Sequence, residues 1–444
     1  MRRCPIPVGL PEQRGTSLKS RKLSRKRRRA TVVGASAAAV VAGVALIPNW
    51  SAGAAVTDDP TVDASTKATF QKLADAVFTD RTQALVDGST GAHTRHTAGF
   101  SGSVRLSGGQ TREQSSALGK LRARKTLLAK LGEKYSAGDT KVTLDATEVH
   151  GRSAKVAVTE TTTLTYKKGT VPAKGPKTTG FQAHHELTFK AGRHGDWQLT
   201  GIHDTDDGYL AVNQVEPPAT SSKPTTPPTG GTSPSHPAPS TGGTSPSPAT
   251  SPAGTPSSLS DAGPTDAPRA ATSYPAPANP KQLTGGAYDY KAMVAYAQKY
   301  WNHYNPDYPD YNGAGAGGDC TNFVSQVLKA GGWKHVPGYT DDYTKWFGNA
   351  DIQSDSFVGV NEFSWFALSS KRVTPLANVY QADLGDVIQM DFNRDGSKDH
   401  SMVVTYRNGS GVPYVTYHST NTYNRSVASL VASYPTAYFY AYRT

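Results

Sequence analysis

Residues 317–332 read GGDCTNFVSQVLKAGG. Phe323, Val324, Val327 and Leu328 fall on one face of a helix. Gly331 and Gly332 supply its C-terminal stop. Cys320 therefore sits in the first turn of a short buried helix, just after a glycine turn. A thiol there feels the positive end of the helix dipole, which favours the reactive thiolate. Its glycines let the backbone approach a substrate carbonyl closely. The competing reading is that Cys320 is a small buried hydrophobe, as most free cysteines are.

The surroundings of this stretch decide between the two. Before it, residues 289–304 form an amphipathic helix with Met293, Val294, Ala297 and Trp301 on one side. After it, residues 333–382 are rich in aromatics. Of these, Trp333, Trp346 and Trp365, together with Asp319, are candidate substrate-binding residues. Three strands follow, at 384–392, 399–407 and 413–421. Amide hydrolysis by a thiol needs an imidazole to carry the proton and a third polar group to orient that imidazole. Cys320, His400 and His418 are the candidates. His400 starts one strand and His418 ends the next, so a hairpin would let His418 reach the ring of His400, with Asn421 as the rival for the orienting role. Asp319 could alternatively cap the helix. The sequence Asp391-x-Asn393-x-Asp395-Gly396 reads as the front half of a calcium loop, but its twelfth position is Met402, so the expected role is a tight hairpin turn.

A resemblance rests on four motifs. They are Gly318-Asp319-Cys320-Thr321-Asn322-Phe323-Val324-Ser325-Gln326, Leu384-Gly385-Asp386-Val387-Ile388, Asp395-Gly396 with Asp399-His400-Ser401, and Tyr417-His418-Ser419-Thr420-Asn421. Over about 288–440 the chain resembles the bacterial "putative amidase domain" family, which is similar to the papain-like CHAP and NlpC-type cell-wall amidases and peptidases. The resemblance implies a cysteine amidohydrolase with Cys320 as nucleophile and His400 as base. Unlike papain, the chain has no glutamine a few residues before the cysteine to complete an oxyanion hole. The backbone N–H of Cys320 can give one donor, and a tyrosine of 304–311 or a nearby amide could give the second.

The rest of the chain bounds the setting. The 444 residues have room for about two or three domains. The net charge of +12 is concentrated in residues 1–54, which carry eleven Lys/Arg against the single acid Glu12. The remainder is nearly neutral, so a nucleic-acid partner is not expected. KSRKLSRKRRR at 19–29, the apolar run Ala30–Ile47 and Ala52-Gly53-Ala54 together read as a signal peptide, with Sec and twin-arginine export both open and an uncleaved anchor as the competing reading. Cleavage would remove Cys4 and leave Cys320 as the one cysteine of a secreted or wall-associated chain.

Residues 57–213 read as a separate α+β domain of unassigned role. Helical spacing covers 63–87 and 111–131, and period-two patterns cover 141–149, 153–166, 180–190 and 196–203. His184 and His185 point to opposite faces of a strand and cannot easily share a metal. Asp204, Asp206 and Asp207 read as a solvated loop. Residues 214–285, rich in Pro, Thr, Ser and Gly, have too little to bury and read as a disordered linker. The full expectation is an α+β protein whose papain-like domain, 286–444, cuts an amide or peptide bond through a Cys320 thioester, in cell-wall peptides such as peptidoglycan stems. It needs no cofactor or metal and acts as a monomer. The alternatives are an acyltransferase using the same Cys–His pair, or a non-catalytic module binding wall glycan or peptide.

Overall fold

The computed structural model describes residues 62–88, 96–169, 175–208, 210–215, 264, 266–313 and 317–444. The expected leader, and residues 216–263 of the expected linker, lie outside them. Among the described residues no helix is long and apolar enough to cross a membrane.

The N-terminal half runs α1 (Ala64–Gln83), β1 (Val104–Leu106), α2 (Gly108–Lys130), β2 (Tyr135–His150), β3 (Ser153–Tyr166), β4 (Thr178–Ala191) and β5 (Trp197–Asp204). Asp63 caps α1 by accepting the N–H of Thr66, and Ser107 caps α2 by accepting that of Gln110. The helical stripe read in the sequence becomes the inner face of α1. Phe70, Leu73, Val77 and Phe78 pack on Val156, Val158, Leu187 and Phe189 of the sheet.

The C-terminal half runs α3 (Tyr290–Tyr300), α4 (Cys320–Ala330), α5 (Asp355–Val358), α6 (Val360–Ser369), β6 (Thr374–Pro375), β7 (Val387–Asp391), β8 (His400–Arg407), β9 (Pro413–Tyr417), β10 (Asn421–Ser426), α7 (Val427–Ser433) and β11 (Tyr438–Arg443). Its sheet has helices on both faces. Phe323, Val324, Val327 and Leu328 of α4 pack with Met293 of α3 on Val387, Val403 and Tyr442. The reverse face carries Ile388, Met390, Met402, Val404 and Tyr417, covered by Leu430 of α7 and by Leu118, Leu121 and Leu128 of α2.

That second core crosses from one half to the other, and so does the sheet. The two halves are not the separate bodies that the composition implied. One sheet of eleven strands, antiparallel except for the β1–β5 pair, runs through both. β4 is the shared strand. β3 lines one of its edges, while β5 takes residues 185–191 and β10 takes residues 180–182 of the other. Where β10 joins, Thr179, Gly180 and Phe181 are buried in succession, so the alternation of a one-sided strand is lost. A Cβ on Gly180 would lie 2.6 Å from the ring of Tyr423 and 2.7 Å from the carbonyl of Thr162, so glycine is what admits β10.

The end of the expected linker is also built into the fold. The buried Lys281 ammonium meets Asp386 at 2.5 Å, and Lys398 meets Asp266 at 2.5 Å. Ala270 bridges to Phe439 beside β11. Asp386, from the Leu384-Gly385-Asp386 motif, is a fully buried staple that also accepts the N–H groups of Asp383 and Thr444. Trp333 and Trp346 are core residues, packed with Phe357, Phe363 and Phe366, so they cannot serve as a docking surface for a polymer. Trp365 is half-buried beside Tyr343. In the 391–396 turn, Asp391 is spent on the backbone N–H groups of Arg394 and Gly396.

Candidate active site

Cys320 opens α4 with its thiol buried, at 2% exposure. The backbone N–H of Ser401 reaches the thiol, and the hydroxyl of Thr321 lies 3.8 Å from it. Thr321 in turn shares a hydrogen bond of 2.9 Å with the hydroxyl of Ser401. Cys320 is thus seated against the first residues of β8. Burial pushes its thiol up to about 11, against the opposing pull of the Ser401 N–H and the Thr321 hydroxyl. In this closed state the group is a protonated thiol, and the helix end alone does not ionise it.

Asp319 does not cap the helix, nor is it exposed for substrate. Its carboxylate is fully buried and makes no cap bond to α4. It accepts instead from Asn322 Nδ2 at 2.8 Å and from the Tyr311 N–H at 3.2 Å, and it meets His418 Nδ1 at 2.6 Å. His418 Nε2 lies 2.7 Å from the carbonyl oxygen of Tyr300. A carbonyl only accepts, so Nε2 carries a proton there. Phe323 and Tyr304 sandwich the ring, at 4.0 and 4.3 Å between centroids. The Tyr304 hydroxyl donates to Asn421 Oδ1 at 3.0 Å, so Asn421 acts on the tyrosine that lies on His418 and not on His400.

His400 lies elsewhere. β8 and β9 pair with Val403 opposite Thr416. Extending that register sets Ser401 opposite His418 and leaves His400 one residue out of step. Successive side chains on a strand face opposite ways. Ser401 and Val403 therefore meet α4, while His400, Met402 and Val404 face the α2 and α7 side. The ring of His400 stands edge-on to Tyr417 at 4.9 Å, fully buried, with neither nitrogen hydrogen-bonded. Burial, helped by the nearby Arg425 guanidinium, holds it down at about 3, so it is a neutral imidazole. His418 consequently does not orient His400, contrary to the hairpin expectation. A one-residue difference in register puts the two rings on opposite faces.

Several residues around Cys320 were not singled out in the sequence. Ser401 could have been found by counting back from His418 across the hairpin; in sequence Asp319 reads as a substrate-binding residue or a cap, not as the partner of His418. Tyr304 and Tyr300 have no such signal, because they act through a ring face and a carbonyl. Gly318, at φ +92°, does not lie open for a substrate. A Cβ there would collide with Ser419 and the carbonyl of Asp207.

Residues 287–442 match the family described as "Putative amidase domain", which points to amide hydrolysis as the class of activity. Two Bacillus subtilis (strain 168) proteins are similar over this region. Uncharacterized protein YhbB is 32% identical over 31% of this chain and 44% of its own length. Uncharacterized protein YjcM is 33% identical over 33% of this chain and 36% of its own length. The chain thus spans less than half the length of these curated relatives. A solved structure, the intermembrane space region of chloroplast protein ARC6, overlaps 33% of this chain and 98% of that one at 16% identity. Its TM-score of 0.22 supports no argument.

Proposed function

We propose that residues 286–444 form a cysteine amidohydrolase in which Cys320 is the nucleophile and His418, held by Asp319, carries the proton. The observation behind this reading is the buried Asp319–His418 pair at 2.6 Å, built from the residue next to Cys320 at the start of α4. The carboxylate orients the imidazole, as a nucleophile's base requires. Release of the Tyr300 carbonyl lets Nε2 give its proton to solvent, which leaves a neutral ring whose Nδ1–H is held by Asp319. The ring then takes the thiol proton as sulfur attacks an amide carbonyl, and returns that proton to the leaving amine. The backbone N–H of Cys320 faces the developing oxyanion. Water, activated by the same ring, hydrolyses the thioester and regenerates the thiol. The substrate class we assign is a peptide amide of the cell wall, and the setting is extracellular. Both rest on the leader-like sequence at 19–54 and on the resemblance to wall amidases. Transfer of the acyl group to an added amine is the variant outcome of the same chemistry.

The resemblance assigns the base role to His400 instead, although its ring packs on Tyr417, on the side of the sheet away from α4. Release of amine from a peptidoglycan stem peptide separates the two. Cys320→Ala should lower the rate by about 10³-fold or more, and His418→Asn by about 10²- to 10⁴-fold. Full activity in Cys320→Ala sinks the enzyme reading. Loss of activity in a folded His400→Leu variant, with His418→Asn active, transfers the base role to His400.

A further inference from the structure

The acidic residues after β5 do not form the solvated loop that their composition implied. Asp206 is buried, and its side chain joins the two halves of the molecule. Oδ2 accepts the backbone N–H of His184 at 3.0 Å, and Oδ1 meets His184 Nδ1 at 2.7 Å. Oδ1 also accepts from Asn312 Nδ2 at 3.1 Å. Asn312 belongs to the 304–313 loop, and that loop is bonded to residues flanking Cys320. Its Tyr311 N–H and Pro309 carbonyl bond Asp319 and Asn322, and Tyr304 lies on His418. Four residues after Asp206, the N–H of Leu210 donates to Thr420 Oγ1 at 2.8 Å, in the β9–β10 connection that carries His418. With Cys320 this buried, a neighbouring segment must move before a substrate carbonyl reaches the sulfur, and this loop is bonded to Asp319 and Asn322 on either side of it.

We propose that Asp206 and His184, from the N-terminal half, are a positioning latch that holds the 304–313 loop closed over Cys320, so that this half governs access to the thiol. The inference rests on the proposed function only in taking Cys320 as the reactive centre. The charged groups around the His184 ring are Asp206, Asp145 of β2, Asp310 of the loop and the neighbouring His185. The bond to Asp206 raises the tendency of His184 to hold its proton, against the opposing effect of burial. The charged latch is therefore complete at low pH and weakens as pH rises and His184 loses its proton.

Alkylation of Cys320 by iodoacetamide, read from the mass of its own peptide in the full chain between pH 6 and 9, tests this without any turnover. A chain that hydrolyses nothing can still pass or fail. Asp206→Ala should react about tenfold faster than wild type at neutral pH, the effect of losing one charge-assisted bond on loop opening. In wild type the rate should climb more steeply with pH than in His184→Gln, because only wild type loses the imidazolium as the thiol ionises. An unchanged rate in a folded Asp206→Ala variant, or superposed pH profiles for wild type and His184→Gln, overturns the latch. If circular dichroism finds Asp206→Ala unfolded, the His184→Gln profile decides alone.

Discussion

Two of the buried histidines among the described residues, His185 in the N-terminal half and His400 in the C-terminal half, are driven in opposite directions by their surroundings. His185 lies inside the N-terminal half, stacked on Phe78 at 4.4 Å between centroids. Its Nδ1 meets Asp204 at 2.8 Å and its Nε2 meets Glu160 at 3.2 Å. Burial alone would lower its affinity for a proton, but the two carboxylates outweigh burial and push it up to about 9. His400, with no hydrogen-bond partner and Arg425 nearby, stays near 3. Burial is common to both. The sign of the shift comes from whether carboxylates share the site; without them burial lowers the value, and at His400 the Arg425 guanidinium adds to it. A buried histidine is therefore no mark of catalysis by itself, and the one bonded to Asp319 is neither of these two.

The comparison breaks most visibly at His185. In His185→Leu, Glu160 and Asp204 lose the cation between them, and Glu160 is fully buried. Asn213 Nδ2 and Thr162 Oγ1 still donate to Glu160, but they bring no charge. The expected cost is about 3–5 kcal/mol, that of breaking a buried ion pair from one side. Urea unfolding at pH 7 measures it. A loss below about 1 kcal/mol, the worth of an ordinary hydrogen bond, would mean that His185 is held neutral and that the contrast with His400 is false.

Acid pH sharpens the other side. His400 has a folded value of about 3 against the ordinary 6.5 of a free imidazole. Its folded value is lowered, so the unfolded chain binds the proton first as pH falls. The stabilisation from keeping the ring neutral is full above pH 6.5 and is lost between there and about 3. For His185 the folded value is raised from 6.5 to about 9, so its contribution is full below 6.5 and is lost as pH climbs to 9. Wild type minus His400→Leu, compared from about pH 5.5 down to about 4, between the two values, should show a difference in unfolding free energy of about 1.4 kcal/mol per pH unit, one proton's worth. A flat difference would mean that His400 is already protonated in the folded chain.

How much of this was legible in the sequence depended on the range of the signal. The stretch from Asp319 to Gly332 folds as its spacing required, because its apolar face and its glycine stop are both written in adjacent residues, and that face is what packing then buries. The strand β3 spans the residues that alternation assigned to it, 153–166. The face of His400 was not legible. It depends on the register of β8 with β9, which shifts between Val404 and Tyr406, and such an irregularity leaves no mark in composition. The union of the two halves was hidden for a similar reason. Tyr423 meets Gly180 across the long Pro/Ser/Thr-rich stretch, and nothing local to either residue announces the other. Asp206 read as a surface acid because its partners, His184 and Asn312, lie on separate elements that only the tertiary fold brings together.

The smallest effect expected is also the one that most directly separates packing from chemistry. His400→Leu at pH 7 removes a ring whose nitrogens make no hydrogen bond, and replaces it with an apolar side chain beside Tyr417, Phe392 and Met402. Removing an unpaired buried polar group gains back its desolvation cost, while the altered shape loses some dispersion contact with Tyr417. The two nearly cancel, and stability should stay within about 1 kcal/mol of wild type in either direction. A loss above about 3 kcal/mol, as large as breaking a buried pair, would show that the ring is bonded in solution. The partner would then be within reach of Arg425 and Tyr417, and the opposition between the two buried histidines would be one of degree only. The sign carries information as well. A variant more stable than wild type would identify His400 as a residue kept at a stability cost, and that would return weight to its catalytic reading over the purely structural one.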